Sequence, residues 1–447
     1  MTGDRQVPVR AKPQGPSAPK SSSREPDPAF PSLHGRPPRG WVNDPNGCSC
    51  LDGRYHVFFQ YNPAAPSHHA ICWGHMSSED LVHWRQEPVA LVPRPDELDR
   101  FGCWSGCVVE DGGVPTAAYS AVADQSARSV VLLARSDAEM RTWRQGRTPV
   151  ASIPRDPAIT HARDPFVFEF DGHRYAIQGA GHAERPGAAR ILLYDCDDLN
   201  AWTELGPLLT IEDPIAARVA PARIWECPNL MPLGDRWVLI ISLWSRIAGT
   251  DVLGGARYLV GDLEAHRGRP RFRPTAGGSL DDGPCFYAPH VLRQGGRTLM
   301  WGWAREHGRS QADIEAAGWA GTLTFARELS LDGGRLVTSP ADELALLRGD
   351  VIDAHTPITA RAFEVELGAD AGAASLRLRE GSAEHLLTEL PRSRLPHVVR
   401  IFVDGSMIEI FTPGRAPLTL RAYPRPETAW ALRVQHPEHA TAWTLED

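Results

Sequence analysis

The sequence predicts an all-β protein, a five-bladed β-propeller followed by a β-sandwich, and two periodic signals support the propeller. Short turn dipeptides recur about every 60 residues, at Asp52-Gly53, Asp111-Gly112, Asp171-Gly172, Gly234-Asp235 and Gly295-Gly296. These residue types tolerate the positive φ of a tight hairpin, and strand-like runs follow four of the five dipeptides. Tryptophan keeps the same period at Trp84, Trp143 and Trp202. Such equal spacing is typical of a propeller and is not expected of a sandwich.

The domain boundaries follow from composition and from the loss of the repeat. Residues 1–34 are rich in Pro, Ser, Arg and Lys, which predicts a disordered leader that belongs to no domain. The leader lacks the apolar core of a secretory signal, so a cytoplasmic location is expected. The propeller is predicted over residues 35–340 and a short linker over 341–349. The sandwich is predicted over residues 350–447, where Asp404-Gly405 marks a hairpin between two strand-like arms.

Composition excludes several classes of partner. The chain of 447 residues is 42% hydrophobic and 23% charged, which is ordinary for a globular protein. Its net charge is −8 and it has no basic run, which argues against nucleic acid and anionic membranes as partners. Eight cysteines lack the companion pairs of a zinc site, so neither a metal nor a cofactor is expected. A small-molecule partner remains, and the sequence does not specify an oligomeric state.

The chemically distinctive residues occupy the same place in each repeat. Six to eight residues before the five turn dipeptides stand Asp44, then Trp104 and Ser105, then Asp164, Glu226 and Tyr287. Equivalent positions of a propeller are related by rotation about its axis. We therefore expect these side chains to converge at one end of the central channel.

Three converging carboxylates point to glycoside hydrolysis. Crowded like charges raise at least one pKa, which leaves one group able to donate a proton while another stays ionised. Cleavage of a glycosidic bond requires that division between an acid and a carboxylate. Each carboxylate alone could belong to a turn or a salt-bridged corner, but three in phase favour a site. Aromatic residues that could pack against a sugar ring are Trp41, Trp73, Trp104 and Tyr287.

At these residues the chain resembles glycoside hydrolase family 32, the invertases, inulinases and levanases. The resemblance runs from about Gly35 to the C-terminus. The matching segments are Trp41-Val42-Asn43-Asp44-Pro45-Asn46-Gly47, Phe58-Phe59-Gln60-Tyr61-Asn62-Pro63, Trp73-Gly74-His75, Trp104-Ser105-Gly106, Arg163-Asp164-Pro165, Glu226-Cys227-Pro228-Asn229-Leu230, Phe286-Tyr287-Ala288-Pro289, Trp301-Gly302-Trp303 and Gly318-Trp319-Ala320-Gly321.

The resemblance implies a retaining β-fructofuranosidase that releases fructose from sucrose or short β-fructosides through a covalent fructosyl-enzyme. It implies that Asp44 is the nucleophile, Glu226 the acid/base, and Asp164 the residue that holds fructose hydroxyls and steadies the transition state. The residues it implies for substrate binding are Asn43, Gln60, Trp73, Trp104, Ser105, Arg163 and, near the leaving group, Asp281. The chain departs from the family pattern at Cys48 and Cys285, and segment 64–72 is short, which affects the expected leaving-group preference.

Other functions remain open on the sequence. A fructosyltransferase would use the same site with a sugar acceptor in place of water. A non-catalytic sugar-binding propeller would keep the fold without the chemistry, and the three carboxylates disfavour it. A neighbouring class of five-bladed glycosidases acts on arabinosides or xylosides, and the intact segment around Asp44 and the C-terminal sandwich disfavour it. The sequence does not decide between sucrose, phosphorylated sucrose, inulin, levan and a short fructo-oligosaccharide as substrate.

Overall fold

The computed structural model describes residues 27–126, 128–390 and 398–447, and most of them lie in β-strands. Up to residue 340 they form five successive antiparallel meanders of four strands. The first two meanders are β1 Gly40–Leu51, β2 Arg54–Asn62, β3 Cys72–Ser78 and β4 Arg85–Gln86, then β5 Gly102–Asp111, β6 Val114–Val122, β7 Ser129–Ser136 and β8 Trp143–Gln145.

The third and fourth meanders join into one sheet through a single pairing, between Gly181 and Ile224. Their elements are β9 His161–Phe170, β10 His173–Gly181, β11 Arg190–Asp195, β12 Thr203–Thr210, the helix α1 Pro214–Val219, β13 Ile224–Leu233, β14 Arg236–Ile247, β15 Thr250–His266 and β16 Arg269–Ser279. The fifth comprises β17 Phe286–Gln294, β18 Arg297–Ala304, α2 Gln311–Ala317, β19 Trp319–Ala320, β20 Thr322–Leu323, β21 Arg327–Asp332 and β22 Arg335–Pro340. Strand β19 leaves its own sheet and pairs in parallel with β1.

The predicted turn dipeptides lie at the hairpins between the first and second strands of the meanders. At Asp52 and Gly53 the φ angles are 50° and 78°, the left-handed values that a tight hairpin requires. A Cβ added at Gly53 would meet nothing within 4 Å, so backbone conformation alone explains that glycine. The periodic hairpins predicted from the sequence are confirmed.

A β-bulge interrupts the pairing of the first two strands in every meander. The register shifts lie between Val42 and Pro45, Trp104 and Gly106, Arg163 and Phe166, Glu226 and Asn229, and Tyr287 and His290. Asp164, Cys227 and Ala288 adopt left-handed φ angles of 60°, 46° and 46° there. A bulge leaves a residue unpaired and redirects its side chain, which explains why the distinctive residues share one phase.

The C-terminal part contains two sheets that share one apolar core, to which Phe363, Leu376, Ile401 and Trp430 belong. A 3₁₀ turn at Asp342–Leu347 leads into it. Its strands are β23 Arg348–Ile352, β24 Ala362–Leu367, β25 Ala374–Glu380, β26 Ala383–Leu390, β27 Val399–Asp404, β28 Met407–Phe411, β29 Leu418–Arg421, β30 Thr428–Val434 and β31 Ala440–Leu445. The sheet orders are β23-β31-β24-β27-β28-β29 and β26-β25-β30. Short 3₁₀ turns lie at Ala369–Ala371 and Pro437–His439, and none of the described helices is long and apolar enough to span a bilayer.

The predicted disordered leader is wrong for residues 27–34. Ala29, Leu33 and His34 are buried, and three successive backbone N–H groups, of Ser32, Leu33 and His34, donate to the carboxylate of Asp404. Polar composition suggested disorder, but a partner 370 residues away in the chain orders this segment. Residues 1–26 lie outside the described part of the chain.

Candidate active site

One cavity of about 510 Å³ brings the three predicted carboxylates together. Residues from the first strands of all five meanders line it. Of the predicted site residues, those that line the cavity are Asn43, Asp44, Gln60, Trp104, Arg163, Asp164 and Glu226, together with the aromatic residues Trp41 and Tyr287. The convergence expected from the repeat is therefore found in the structure.

Asp44 lies in the bulge of β1 and is held from several sides. Its Oδ2 accepts hydrogen bonds from the Ser105 hydroxyl at 2.6 Å and from Gln60 Nε2 at 2.9 Å. Its Oδ1 accepts one from Asn43 Nδ2 at 3.0 Å. Burial raises the pKa of Asp44, the Ser105 hydrogen bond opposes that rise, and the charge of Glu226 adds to it. The hydrogen bonds stabilise the carboxylate in the orientation that a nucleophile needs.

Glu226, in β13, is held by two groups. Arg163 Nε donates to its Oε1 at 2.8 Å, Arg163 Nη2 lies 2.7 Å from the same oxygen, and the Tyr287 hydroxyl donates to Oε2 at 2.6 Å. The Arg163 guanidinium also lies 5.7 Å from the centre of the Trp104 ring. The Glu226 side chain is 13% exposed, so its carboxyl borders the open part of the cavity.

Asp164 lies deeper than Glu226. Its Oδ2 accepts a hydrogen bond from the backbone N–H of Cys227 at 2.9 Å, and the Cys227 thiol lies 3.5 Å from both Asp164 Oδ2 and Asp44 Oδ2. Burial raises the pKa of Asp164 to about 7; Arg163 opposes the rise, and the charges of Glu226 and Asp44 add to it. The cluster of carboxylates therefore retains a proton near neutral pH.

Two predicted binding residues support the cavity from behind. Trp73 is completely buried and is not among the residues that line the cavity, and its contact with substrate stays a prediction. Its indole N–H donates to the backbone oxygen of Trp104 at 3.1 Å, which supports the aromatic residue that does line it. Ser105 is also buried behind the cavity wall and acts on Asp44.

The prediction that Asp281 lies near the leaving group is wrong. Asp281 is buried, and its Oδ2 accepts hydrogen bonds from Arg327 Nη1 at 2.8 Å and from the Thr419 hydroxyl at 2.6 Å. Its Oδ1 accepts from the backbone N–H groups of Gly283 and Thr419. Since Thr419 belongs to β29, Asp281 joins the fifth meander to the C-terminal sheets and has no oxygen left for a sugar.

Sequence reasoning missed much of the cavity wall. The additional lining residues are His68, His161, Trp244, Arg246, Asp251, Leu253, Trp303 and Arg305. Several of these lie on the long β14–β15 hairpin, where no periodic signal marks them. Trp303 belongs to the Trp301-Gly302-Trp303 motif, which could have indicated it. No group of three or more His, Cys, Asp and Glu side chains in the described residues is arranged to hold a metal ion.

Comparisons with known proteins agree with this geometry. The profile of the glycosyl hydrolases family 32 N-terminal domain matches residues 34–340. A sucrose-6-phosphate hydrolase of Klebsiella pneumoniae is 32% identical over an alignment of 429 positions that covers 89% of this chain and 89% of that protein. The solved sucrose-6-phosphate hydrolase from Lactobacillus gasseri superposes with a TM-score of 0.79 at 26% identity, covering 94% of this chain and 93% of that chain. A Bombyx mori β-fructofuranosidase mutant in complex with sucrose superposes with a TM-score of 0.77 at 25% identity, covering 94% of each chain. The chain belongs to glycosyl hydrolases family 32.

Proposed function

We propose that this fructose-releasing glycoside hydrolase acts with retention on sucrose or short β-fructosides, through a covalent fructosyl-enzyme. The observation that carries the proposal is the single cavity in which three carboxylates are held in three different ways. Asp44 is oriented by neutral donors, Glu226 by a cation and a phenol, and Asp164 by a backbone N–H. Three such environments suit three separate roles.

Asp44 is the proposed nucleophile. Its hydrogen bonds from Ser105, Gln60 and Asn43 favour the ionised form and limit rotation of the carboxylate. A fixed, ionised carboxylate beside the anomeric carbon can form the ester that a retaining mechanism requires.

Glu226 is the proposed acid/base, although burial raises the pKa of Asp164 to about 7. Glu226 borders the open part of the cavity, where a leaving group departs and water enters. Asp164 is only 5% exposed and accepts a hydrogen bond from the backbone N–H of Cys227. Arg163 and Tyr287 hold Glu226 through both the protonation step and the later deprotonation of water. Asp164 then accepts fructose hydroxyls and stabilises positive charge at the anomeric carbon.

The assignment is tested with two leaving groups. General acid–base assistance is worth about 10²–10⁴-fold. Glu226→Ala should lose most of that on sucrose, whose leaving oxygen needs a proton, and much less on fructosyl fluoride. Azide should restore its turnover by attacking the trapped fructosyl-enzyme. Asp44→Ala should lose activity on both substrates.

Asp164→Ala is the matched comparison, because it removes the other candidate proton donor. It should be slow on both substrates, without rescue by azide. If Asp164→Ala, and not Glu226→Ala, spares the fluoride and responds to azide, the two roles are exchanged. Early NMR spectra should show the β-anomer of fructofuranose as first product, and the α-anomer would contradict retention.

Phosphorylated sucrose is a second candidate substrate, in accordance with the names of the related hydrolases. Arg163 and Arg246, which line the cavity, are paired with Glu226 and Asp251. Arg305 also lines it, and among the described residues it has no carboxylate within ion-pair distance. An unneutralised guanidinium at a sugar site can bind a phosphate group.

A comparison of kcat/KM for sucrose and sucrose 6-phosphate distinguishes the two candidate substrates. If the phosphate binds Arg305, Arg305→Gln should lower kcat/KM for the phosphorylated sugar by about 10- to 150-fold, since hydrogen bonds to charged groups are worth about 1.5–3 kcal/mol. Activity on sucrose should change little, and Arg271→Gln on the distant strand β16 serves as control. Equal losses on both sugars would remove the phosphate proposal. Chromatography of the products at high sucrose separates hydrolysis from transfer.

We further infer that the five meanders are the blades of a propeller over residues 35–340 and that residues 350–447 form a sandwich after a linker at 341–349. The support is a closed series of contacts, in which β1 meets β5, β5 meets β9, β9 meets β13, β13 meets β17, and β17 meets β1. The shared core of the two C-terminal sheets supports the sandwich. A cytoplasmic location and a disordered segment before residue 27 stay predictions.

A further inference from the structure

Residues 27–36, here called the N-terminal strap, connect the C-terminal sheets to the start of β1. At its beginning, Asp27 Oδ2 accepts a hydrogen bond from the Trp319 indole at 2.9 Å, and Phe30 meets the same ring edge-on at 5.4 Å. From the C-terminal part, Arg361 donates to the backbone oxygen of Asp27. The strap therefore contacts both parts of the molecule along its length.

The middle of the strap is held by Asp404, at the end of β27. The Asp404 carboxylate accepts hydrogen bonds from the backbone N–H groups of Ser32, Leu33 and His34 at 2.9, 2.8 and 3.0 Å. Its side chain is completely buried. A buried carboxylate that accepts this many hydrogen bonds remains ionised. These hydrogen bonds fix the strap in place for as long as they persist.

His34 has a carboxylate at each ring nitrogen. Nδ1 lies 2.8 Å from Asp404 Oδ2 and Nε2 lies 3.0 Å from Glu409 Oε1, while the ring stacks on Phe325 at 3.7 Å. A neutral imidazole has one N–H and would face one of these acceptors with a lone pair. The geometry therefore requires the imidazolium, with a proton on each nitrogen.

The two carboxylates that contact His34 belong to a larger buried cluster of charged side chains. Glu409 also pairs with Arg327, whose Nη2 lies 2.6 Å from Glu409 Oε2, and Arg327 in turn pairs with Asp281. Five charged side chains of this cluster are completely buried, namely those of His34, Asp404, Glu409, Arg327 and Asp281. Loss of the proton from His34 would leave three carboxylates facing a single guanidinium in the interior, an arrangement that low dielectric makes unfavourable.

The end of the strap leads directly to the predicted nucleophile. Arg36 donates to the backbone oxygens of Gly321 and Gly40, and Gly40 and Trp41 pair with Trp319 and Ala320 of β19. The Trp41 indole donates to Asn43 Oδ1 at 2.7 Å, and Asn43 Nδ2 donates to Asp44 Oδ1 at 3.0 Å. Continuous contacts thus run from the strap to Asp44.

We propose that the N-terminal strap positions the first strand of the active site and that the protonated ring of His34 locks it, so that deprotonation at alkaline pH releases the strap and weakens the positioning of Asp44. The catalytic part of this inference rests on the proposed role of Asp44. The locking part rests only on the geometry around His34.

The sign of the pH dependence follows from the pKa of His34. Burial lowers this pKa, but the hydrogen bonds and charges of Asp404 and Glu409 outweigh burial, so the pKa is raised above its ordinary value near 6.5. The lock is complete below about pH 6.5 and is lost as the pH rises through the raised value in the folded protein. The pKa values of Asp404 and Glu409 are lowered despite burial, because His34 and, for Glu409, Arg327 stabilise their charges; both carboxylates stay ionised throughout.

The experiment follows hydrogen–deuterium exchange of the strap, corrected for intrinsic rates, together with kcat and KM for sucrose across neutral and alkaline pH. In the wild type, exchange in residues 27–36 should rise with pH in step with a fall in kcat, and KM should change less. His34→Gln should show the unlocked state at every pH, with rapid exchange and a kcat lower by about 10-fold, since small displacements of a reacting group are costly. His173→Gln is the control, because His173 also faces a carboxylate, at 2.8 Å from Asp197, but is exposed.

Two results would overturn the proposal. The first is strap protection in the wild type that does not change with pH, which can be measured without any activity and even if His34→Gln fails to fold. The second is an alkaline fall in kcat of the same size and position in His34→Gln, which would assign that fall to the catalytic groups. If exchange follows the prediction while Asp44→Ala stays active, the lock stands and the proposed role of Asp44 is wrong.

Discussion

Removal of the Ser105 hydroxyl tests how the structure tunes its predicted nucleophile. Ser105 lies behind the cavity wall and donates to Asp44 Oδ2 at 2.6 Å, the shortest of the hydrogen bonds that Asp44 accepts. Ser105→Ala deletes this bond and the oxygen that accepts a second hydrogen bond from Gln60 Nε2, and it leaves the donors of Gln60 and Asn43 that contact Asp44. The change therefore alters the stability of the Asp44 carboxylate without removing a group that touches the substrate.

The magnitude follows from the charge on the acceptor. A hydrogen bond to a charged group contributes about 1.5–3 kcal/mol, and each 1.36 kcal/mol corresponds to about tenfold. Burial already raises the pKa of Asp44, and the Ser105 hydrogen bond is the largest influence that opposes it. Loss of the bond raises this pKa further, so the acid side of the pH–rate profile moves to higher pH. On that side kcat/KM should fall by about 10- to 150-fold, and on the plateau much less.

The assay is the full pH profile of kcat/KM on sucrose for the variant, the wild type and a matched control. Ser129→Ala is that control, because Ser129 is also buried and its hydroxyl donates at the same distance, 2.6 Å, to the backbone oxygen of Ala162. We expect Ser129→Ala to change kcat/KM by less than about twofold at every pH, since neutral hydrogen bonds outside the cavity act on stability.

One outcome would refute the reasoning about Ser105. If Ser105→Ala lowered kcat/KM by the same factor at every pH, the hydroxyl would be acting on geometry and not on the ionisation of Asp44. An acid limb in its wild-type position would lead to the same conclusion.

Two further predictions concern the buried charges around Asp281 and the tryptophans at the cavity. Arg327→Met should lower the free energy of unfolding by about 3–5 kcal/mol, because it leaves the buried carboxylate of Asp281 without an opposite charge and Glu409 with only His34, and adding Asp281→Asn should recover part of the loss in denaturant titrations. No recovery would mean that packing, not charge, sets the cost. Trp104→Ala should raise KM by about 10-fold through lost apolar contact, whereas Trp73→Phe should lower the melting temperature and leave KM within about threefold of the wild-type value. A larger change in KM for Trp73→Phe would mean that Trp73 contacts the substrate.

The meanders and the convergence of the carboxylates could be predicted because their signals are local and repeated. A dipeptide such as Asp52-Gly53 specifies positive φ by its own side chains, and five copies at one spacing specify five equivalent hairpins. Once the units are equivalent, Asp44, Asp164 and Glu226 must face one axis. The bulges that turn these residues into the cavity were not predicted, since a bulge depends on how two strands pair.

The cavity wall was predicted less completely because its members share no phase. Trp244, Arg246 and Asp251 reach the cavity through the length of the β14–β15 hairpin, which no turn signal announces. Trp73 and Trp104 stand in equally suggestive motifs, yet one is completely buried and the other lines the cavity. Composition alone cannot assign those two positions.

By itself the sequence determined the strand-rich repeat, the family and the three carboxylates, because each depends on residue types at short or regular spacing. The tertiary structure alone decided what Asp281 and His34 do. Asp281 stands beside site motifs in the chain, but Arg327 and Thr419, 46 and 138 residues away, occupy its oxygens. His34 stands in a segment of disordered composition, but Asp404 and Glu409, 370 and 375 residues away, order it. Buried charges are stabilised by whichever opposite charges folding brings within hydrogen-bond distance, and local sequence carries no record of that distance.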